Sequence, residues 1–242
     1  MFEPSFFDQN RLFGFYHPAR DAGSDRLLII CPPLFDEYRR LYKALAELAK
    51  GCASEGTHVF RFDYFGTGES WGMLEEASAE TWVSDIRAAL EEGLAISGAS
   101  RVYLLGVRFS ATLAAQVHHS AIVEYIFWDA LCSGDEYLAW LAHSDTELEK
   151  IHLDTARFTN TKPKSVKYEG FHLSPALREG LRKLRVDMAS LKTKARVHQI
   201  VCRESETSSD VEYSGFPYDW PTYHDGLLLP KPVLEAIARR LV

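Results

Sequence analysis

The 242-residue sequence predicts an α/β fold, a mostly parallel central sheet with helices on both faces, and three observations point to it. Short apolar runs alternate with segments whose apolar residues recur every three or four positions, the pattern of parallel strands joined by crossover helices. One apolar run, residues 102–105, meets Gly106, turns within three residues and enters a stretch rich in small residues, Ala111, Ala114 and Ala115. The length suits one domain of the larger α/β kind, and 46% hydrophobic residues suffice for a sizeable core.

Taken in order, Leu27-Leu28-Ile29-Ile30-Cys31 is a short continuous apolar strand stopped by Pro32-Pro33. Residues 38–55 follow as a helix, with Tyr38, Leu41, Tyr42, Leu45, Leu48 and Ala49 on one face. Val59-Phe60-Arg61-Phe62 alternates as a strand and ends at Asp63, and Trp82, Ile86, Ala89, Leu90 and Leu94 mark the next helix. Residues 101–105 form the central strand and 122–128 another strand after its helix. Residues 196–202 read as a later strand, and a helix over about 231–241 closes the chain. Between 135 and 194 the pattern changes. Helical stretches at 135–150 and 175–184 flank the polar segment Thr159-Asn160-Thr161-Lys162-Pro163-Lys164. A connection this long favours a small helical cap or lid, inserted over roughly 135–194, above a plain surface excursion. The rest of 1–242 forms the single domain that carries it.

A net charge of −7 argues against a nucleic-acid-binding surface, though not against a local basic pocket. Cys31, Cys52, Cys132 and Cys202 are scattered, with no C-x-x-C pair and no histidine at ligand spacing. They read as reduced cysteines of a cytoplasmic protein that needs no metal or cofactor. The first residues lack the basic and apolar regions of a signal peptide, and no window approaches a membrane span.

The chemistry concentrates where the central strand turns. Gly106-Val107-Arg108-Phe109-Ser110 follows the outline G-x-S-x-G, a strand–turn–helix motif that holds a nucleophile at the turn. Arg108 fills the nucleophile slot, yet a guanidinium stays protonated and has no lone pair for attack. Ser110 falls already in the helix, where its hydroxyl bonds the backbone. Ligands of parallel sheets bind beyond the carboxyl ends of the strands. There the chain carries Leu34, Phe35 and Glu37, then Asp63 to Ser70, Arg108, Asp129, Glu204 with Glu206, and His224 before the last helix. Asp63 reads as a turn-former, the run around Glu204 and Glu206 as a solvated loop, and His118-His119 as partners for a helix end.

The order Cys31-Pro32-Pro33-Leu34-Phe35, then Arg61-Phe62-Asp63-Tyr64-Phe65-Gly66-Thr67-Gly68-Glu69-Ser70, then the turn at Arg108, then a late His224 resembles the α/β-hydrolase superfamily. It is most similar there to the lipase, esterase and serine-aminopeptidase-like branches. Pro32-Pro33 with Glu37, Gly106-Val107-Arg108, Phe127-Trp128-Asp129 and Glu169-Gly170-Phe171 further resemble the exosortase-system-associated hydrolases found beside bacterial exopolysaccharide genes. The resemblance implies a Ser–acid–His triad in that order. Carried over, it puts His224 in the histidine slot and Glu206, with Asp210 behind it, in the acid slot. Oxyanion-hole amides would come from Leu34 or Phe35 and from Phe109, and Arg108 departs from the pattern.

A guanidinium at a helix N-terminus is disfavoured by up to about 1 kcal/mol, and by several kcal/mol more if buried unpaired. Something anionic must face Arg108. Glu37 and Asp129 are the internal candidates, and an anionic ligand is the alternative. The expectation is a hydrolase fold that has lost serine chemistry and binds a small anionic or acyl-bearing ligand, or a partner, through Arg108, Phe109, Leu34, Phe35 and Glu37. The competing expectation is an ester or thioester hydrolase with His224 as base. There Asp129 attacks or Glu37 positions water, although Arg108 would depress the basicity of either. A third is a pure scaffold in polysaccharide assembly.

Overall fold

The computed structural model describes residues 2–152, 167–168, 171–202, 209–216, 220 and 227–241. Among them an eight-stranded sheet runs in the order β1-β2-β4-β3-β5-β6-β9-β10. β1 (Glu3–Phe7) and β2 (Leu12–His17) form an antiparallel hairpin, and β2 pairs antiparallel with β4 (His58–Phe62). From β4 through β3 (Arg26–Cys31), β5 (Arg101–Val107), β6 (Ile122–Trp128) and β9 (Arg196–Val201) to β10 (Val211–Tyr213) all pairing is parallel. The carboxyl ends of the parallel strands therefore share one edge.

Alternation along the buried strands sorts the core into two layers. Leu28 and Ile30 of β3 face α1 (Phe35–Ser54) and α7 (Lys231–Arg239), where Leu41, Leu45, Val233 and Ile237 meet them. Leu27 and Ile29 face the other way, toward Trp82, Ile86 and Leu90 of α2 (Ala79–Ser97). α2 starts at Ser78, whose hydroxyl accepts the Thr81 N–H, and ends at Gly98 in the left-handed region, φ 67°.

Between β6 and β9 lie α4 (Gly134–His152), the short strands β7 (Lys167–Tyr168) and β8 (Phe171–His172), α5 (Pro175–Lys183) and α6 (Met188–Lys192). α5 buries Leu177 and Leu181, and its Gly180 lies against Ala79 of α2. The start of α4 fits more closely still: a Cβ on Gly134 would run into the Leu181 carbonyl. The polar segment 159–164 lies outside the described residues.

The sequence pattern misses the N-terminal hairpin. Its aromatics Phe2, Phe6, Phe13 and Phe15 pack on one another in edge and tilted contacts, which no helical or core-strand period announces. It also overstates the helix after the turn. α3 spans only Ser110–Ala114, so His118 and His119 sit beyond it rather than at its end. His118 instead lies 2.8 Å from Lys194 Nζ and 3.3 Å from the Tyr125 hydroxyl.

β5 meets α3 so tightly that a Cβ on Gly106 would run into the backbone of Ala111, which cannot step aside. Gly106→Ala is expected to destabilise the fold by about 2 kcal/mol or more through this overpacking, read as a lowered urea midpoint.

Candidate functional site

Three non-glycine residues beyond strand ends at this edge have positive φ: Phe35, where α1 starts after β3 (54°), Arg108 directly after β5 (56°) and Asp129 directly after β6 (44°). Left-handed backbone is uncommon for non-glycine residues and collects at constrained sites. The ladder holds the last two. The Arg108 N–H donates to the Trp128 carbonyl at 2.9 Å, and the Asp129 N–H to Ile200 at 2.9 Å. Arg108 thus sits in the sharp turn between the central strand and α3, as the motif predicts.

The residue is only 5% exposed. Arg108 Nε donates to Glu37 Oε1 at 2.7 Å, and Nη1 donates to the Asp129 backbone carbonyl at 3.0 Å. Glu37, in the first turn of α1, is fully buried. Burial pushes its carboxyl up from the ordinary value, against the downward pull of the Arg108 charge and hydrogen bond. Because α3 is a single short turn, burial rather than a long helix dipole sets the demand for a counter-charge.

Aromatic rings enclose the pair. The Arg108 guanidinium lies over Trp220 at 4.6 Å and Trp140 at 5.1 Å. Phe109, fully buried, stacks on Tyr137 at 4.5 Å, and Tyr137 in turn is parallel to Phe35 and Trp140. The Asp129 carboxylate faces away from Arg108: Oδ1 accepts the Cys202 N–H at 2.8 Å and Oδ2 accepts Trp220 Nε1–H at 2.7 Å. An indole therefore stands between an acid and the nucleophile-slot residue, donating to the acid as a triad imidazole does. Among the described residues, Glu37 Oε2 and Trp140 Nε1 are buried without a hydrogen-bond partner.

Of the other residues singled out from sequence, Leu34 is buried at the N-cap of α1. Ser110 donates to the Pro32 carbonyl and accepts from the Tyr64 hydroxyl. Asp63 holds its turn together, accepting from Glu69 N–H at 3.0 Å and from the Tyr38 hydroxyl at 2.7 Å. Asp210 pairs with Lys192 at 2.7 Å in an exposed contact. His224, Glu204 and Glu206 lie outside the described residues. Cys202, near Asp129, has its thiol pushed up to about 12 by burial and by that carboxylate, so it is no thiolate at neutral pH. Sequence reasoning missed Tyr137, Trp140 and Trp220, the rings that fill the space above the turn. It also missed a cleft of about 320 Å³ bordered by Phe35, Phe171, Leu74 and the Gly66–Gly68 turn.

No family model and no curated sequence matches the chain. Solved structures do resemble it in fold. The Butyrivibrio proteoclasticus protein Est1E, solved with ferulic acid bound, superposes with a TM-score of 0.57 at 15% identity, over 95% of this chain and 92% of its own. A hypothetical protein of Pseudomonas aeruginosa gives 0.52 at 12% identity, over 83% of this chain and 76% of its own. An esterase of Pyrococcus furiosus gives 0.51 at 14% identity, over 83% and 69%. Together with the strand order, these likenesses establish the α/β-hydrolase fold.

Removing the guanidinium leaves a buried carboxylate alone. Arg108→Ser is expected to cost about 3 kcal/mol or more, and Arg108→Met with Glu37→Leu to recover most of that loss in urea unfolding. The pH dependence has a definite sign. Without Arg108 the folded Glu37 pKa rises further above its unfolded value, so the single variant recovers stability on acidification and loses it as pH climbs through the folded pKa. A deficit independent of pH between 4 and 7 would contradict this. Trp220→Phe keeps a ring over Arg108 but strands Asp129 Oδ2, for an expected loss of about 1–3 kcal/mol by the same measurement.

Proposed function

We propose that this protein is a non-hydrolytic member of the α/β-hydrolase fold that binds a small acyl-bearing ligand instead of cleaving an ester. One observation carries the proposal: the nucleophile slot holds Arg108, buried and ion-paired to a buried Glu37. The neighbouring groups support it. The Ser110 hydroxyl is engaged by Pro32 and Tyr64, both Asp129 oxygens hold donors, and the Cys202 thiol is too basic to attack. Because Glu37 already meets the Arg108 charge, an anion at the turn itself would have to displace that carboxylate. An acyl or partner-binding role is favoured over anion capture at Arg108. No described helix is long and apolar enough to cross a membrane. A cytoplasmic setting and a place in exosortase-linked exopolysaccharide processes complete the proposal and rest on the sequence resemblance. So does the helical insertion over 135–194 acting as a cap, which the position of Tyr137 and Trp140 supports.

The test is covalent and kinetic. The folded protein is expected to take no fluorophosphonate label and to turn over p-nitrophenyl esters and acyl thioesters no faster than heat-denatured protein. Arg108→Ser is expected to gain nothing, since a hydroxyl alone lacks the pre-organised oxyanion donors and base of acyl transfer. Labelling that disappears on heating, turnover that vanishes in His224→Ala, or ester hydrolysis gained by Arg108→Ser would each overturn the proposal.

A further inference from the structure

We infer that the hollow between His118 and Lys194 is a binding site for a small doubly charged oxyanion of the sulfate or phosphate kind, separate from the turn at Arg108. The hollow, of about 410 Å³, is lined by His118, His119, Ser120, Tyr125 and Lys194 among others. Ile122, also in its wall, opens β6, and Lys194 shortly precedes β9. The hollow therefore sits at the amino ends of these parallel strands, the edge opposite Arg108.

Hydrogen bonds fix the state of the two histidines. The Tyr125 hydroxyl donates to the Val117 carbonyl at 2.6 Å, so its oxygen is left to accept. His118 Nδ1, 3.3 Å from that oxygen, is then the ring nitrogen that carries the proton, and Nε2 accepts from Lys194 Nζ at 2.8 Å. An ammonium has only donors, which demands the same tautomer from the other side. His119 holds the opposite one. Its Nδ1 accepts the Ala121 N–H at 3.1 Å, leaving Nε2–H turned toward Glu91 of α2 at 3.8 Å.

Charge selects the ligand. Lys194 gives one N–H to an uncharged ring, and Arg87 of α2 gives one to the Gln116 carbonyl at 3.3 Å. Among the described residues no carboxylate pairs with either cation, and Glu91, the acid at this border, approaches His119 instead. Two cations with donors to spare match a doubly charged oxyanion, and His118 can add a third positive charge.

Protonation couples to binding. The charged and titratable groups facing His118 are Lys194, Arg87 and the Tyr125 hydroxyl; burial and the two cations hold its pKa below the ordinary value. An oxyanion seated among them offsets those charges, so Nε2 takes a proton in place of the Lys194 bond and the imidazolium also holds the ligand. Binding therefore tightens as pH falls through the His118 pKa, and by reciprocity the ligand raises that pKa.

Proton NMR of the histidine ring signals, with sulfate titrated into the full chain at constant ionic strength, reads occupancy and protonation together. Sulfate stays doubly charged throughout the histidine range, so any pH dependence belongs to the protein. Saturable binding is expected, with the His118 titration midpoint raised by about 0.5 pH unit or more, which is about threefold tighter binding to the protonated form. Lys194→Gln is expected to raise that midpoint in the absence of sulfate and to weaken sulfate about fivefold or more. Arg87→Gln is expected to weaken sulfate about twofold or more, and His118→Asn to remove the pH dependence. Lys192→Gln deletes an equal charge close by, from a residue paired with Asp210, and is expected to leave sulfate affinity unchanged. Failure to saturate, a His118 midpoint that sulfate does not move, or equal losses in Lys192→Gln and Lys194→Gln overturns the site. Acetate binding as tightly as sulfate overturns the double charge.

Discussion

A guanidinium buried at the head of the central strand sets the terms for everything around it. Arg108 cannot shed its proton, so the surrounding chain must supply an anion, and Glu37 does so from a different element, 71 residues away in sequence. The contact ties the start of α1 to the end of β5, two elements on which the neighbouring strands and the layer of α1 and α7 depend. Glu37 is fully enclosed and Arg108 nearly so. Such a pair adds little net stability compared with an apolar substitute, but the loss of either partner is severe. The pair fixes geometry more than it lowers free energy.

The rings follow from the same constraint. A weakly hydrated planar cation accepts flat partners above and below, and Trp140 and Trp220 are positioned to supply them. Trp220 is in turn held by Asp129, and Asp129 by the Cys202 amide. The carboxylate of the residue after β6 therefore holds Trp220 and the Cys202 amide, and only its carbonyl meets Arg108. That carboxylate orients an indole that lies over Arg108, where Trp140 also lies, with Tyr137 stacked beside it on Phe109.

The sheet was readable because its strands are nearly continuous apolar runs, and the turn was readable because Gly106 and the small residues of α3 mark a close approach of backbones. The need for an anion near Arg108 was readable too, since it follows from one residue's chemistry, and Glu37 and Asp129 both stood at strand ends. Which of them pairs through its side chain was not. That depends on the left-handed turn at Asp129, which sends its carboxylate toward Cys202 and Trp220 and only its carbonyl toward Arg108. The N-terminal hairpin escaped because its aromatic pairs stabilise it across strands, a relation absent from any local period. Tyr137 and Trp140 carry no local signal in the sequence. Only the fold brings them over Phe109 and Arg108.

The turn at Arg108 carries a conformational cost. A non-glycine residue at φ 56° is strained by about 1–3 kcal/mol. Here the same backbone aims a buried cation at Glu37, Trp140 and Trp220. Relaxing the turn would break the ion pair and open the aromatic cover together, so the strain is held by interactions that exist only because the turn does. The turn acts as a structural joint between β5, α1 and the rings above it.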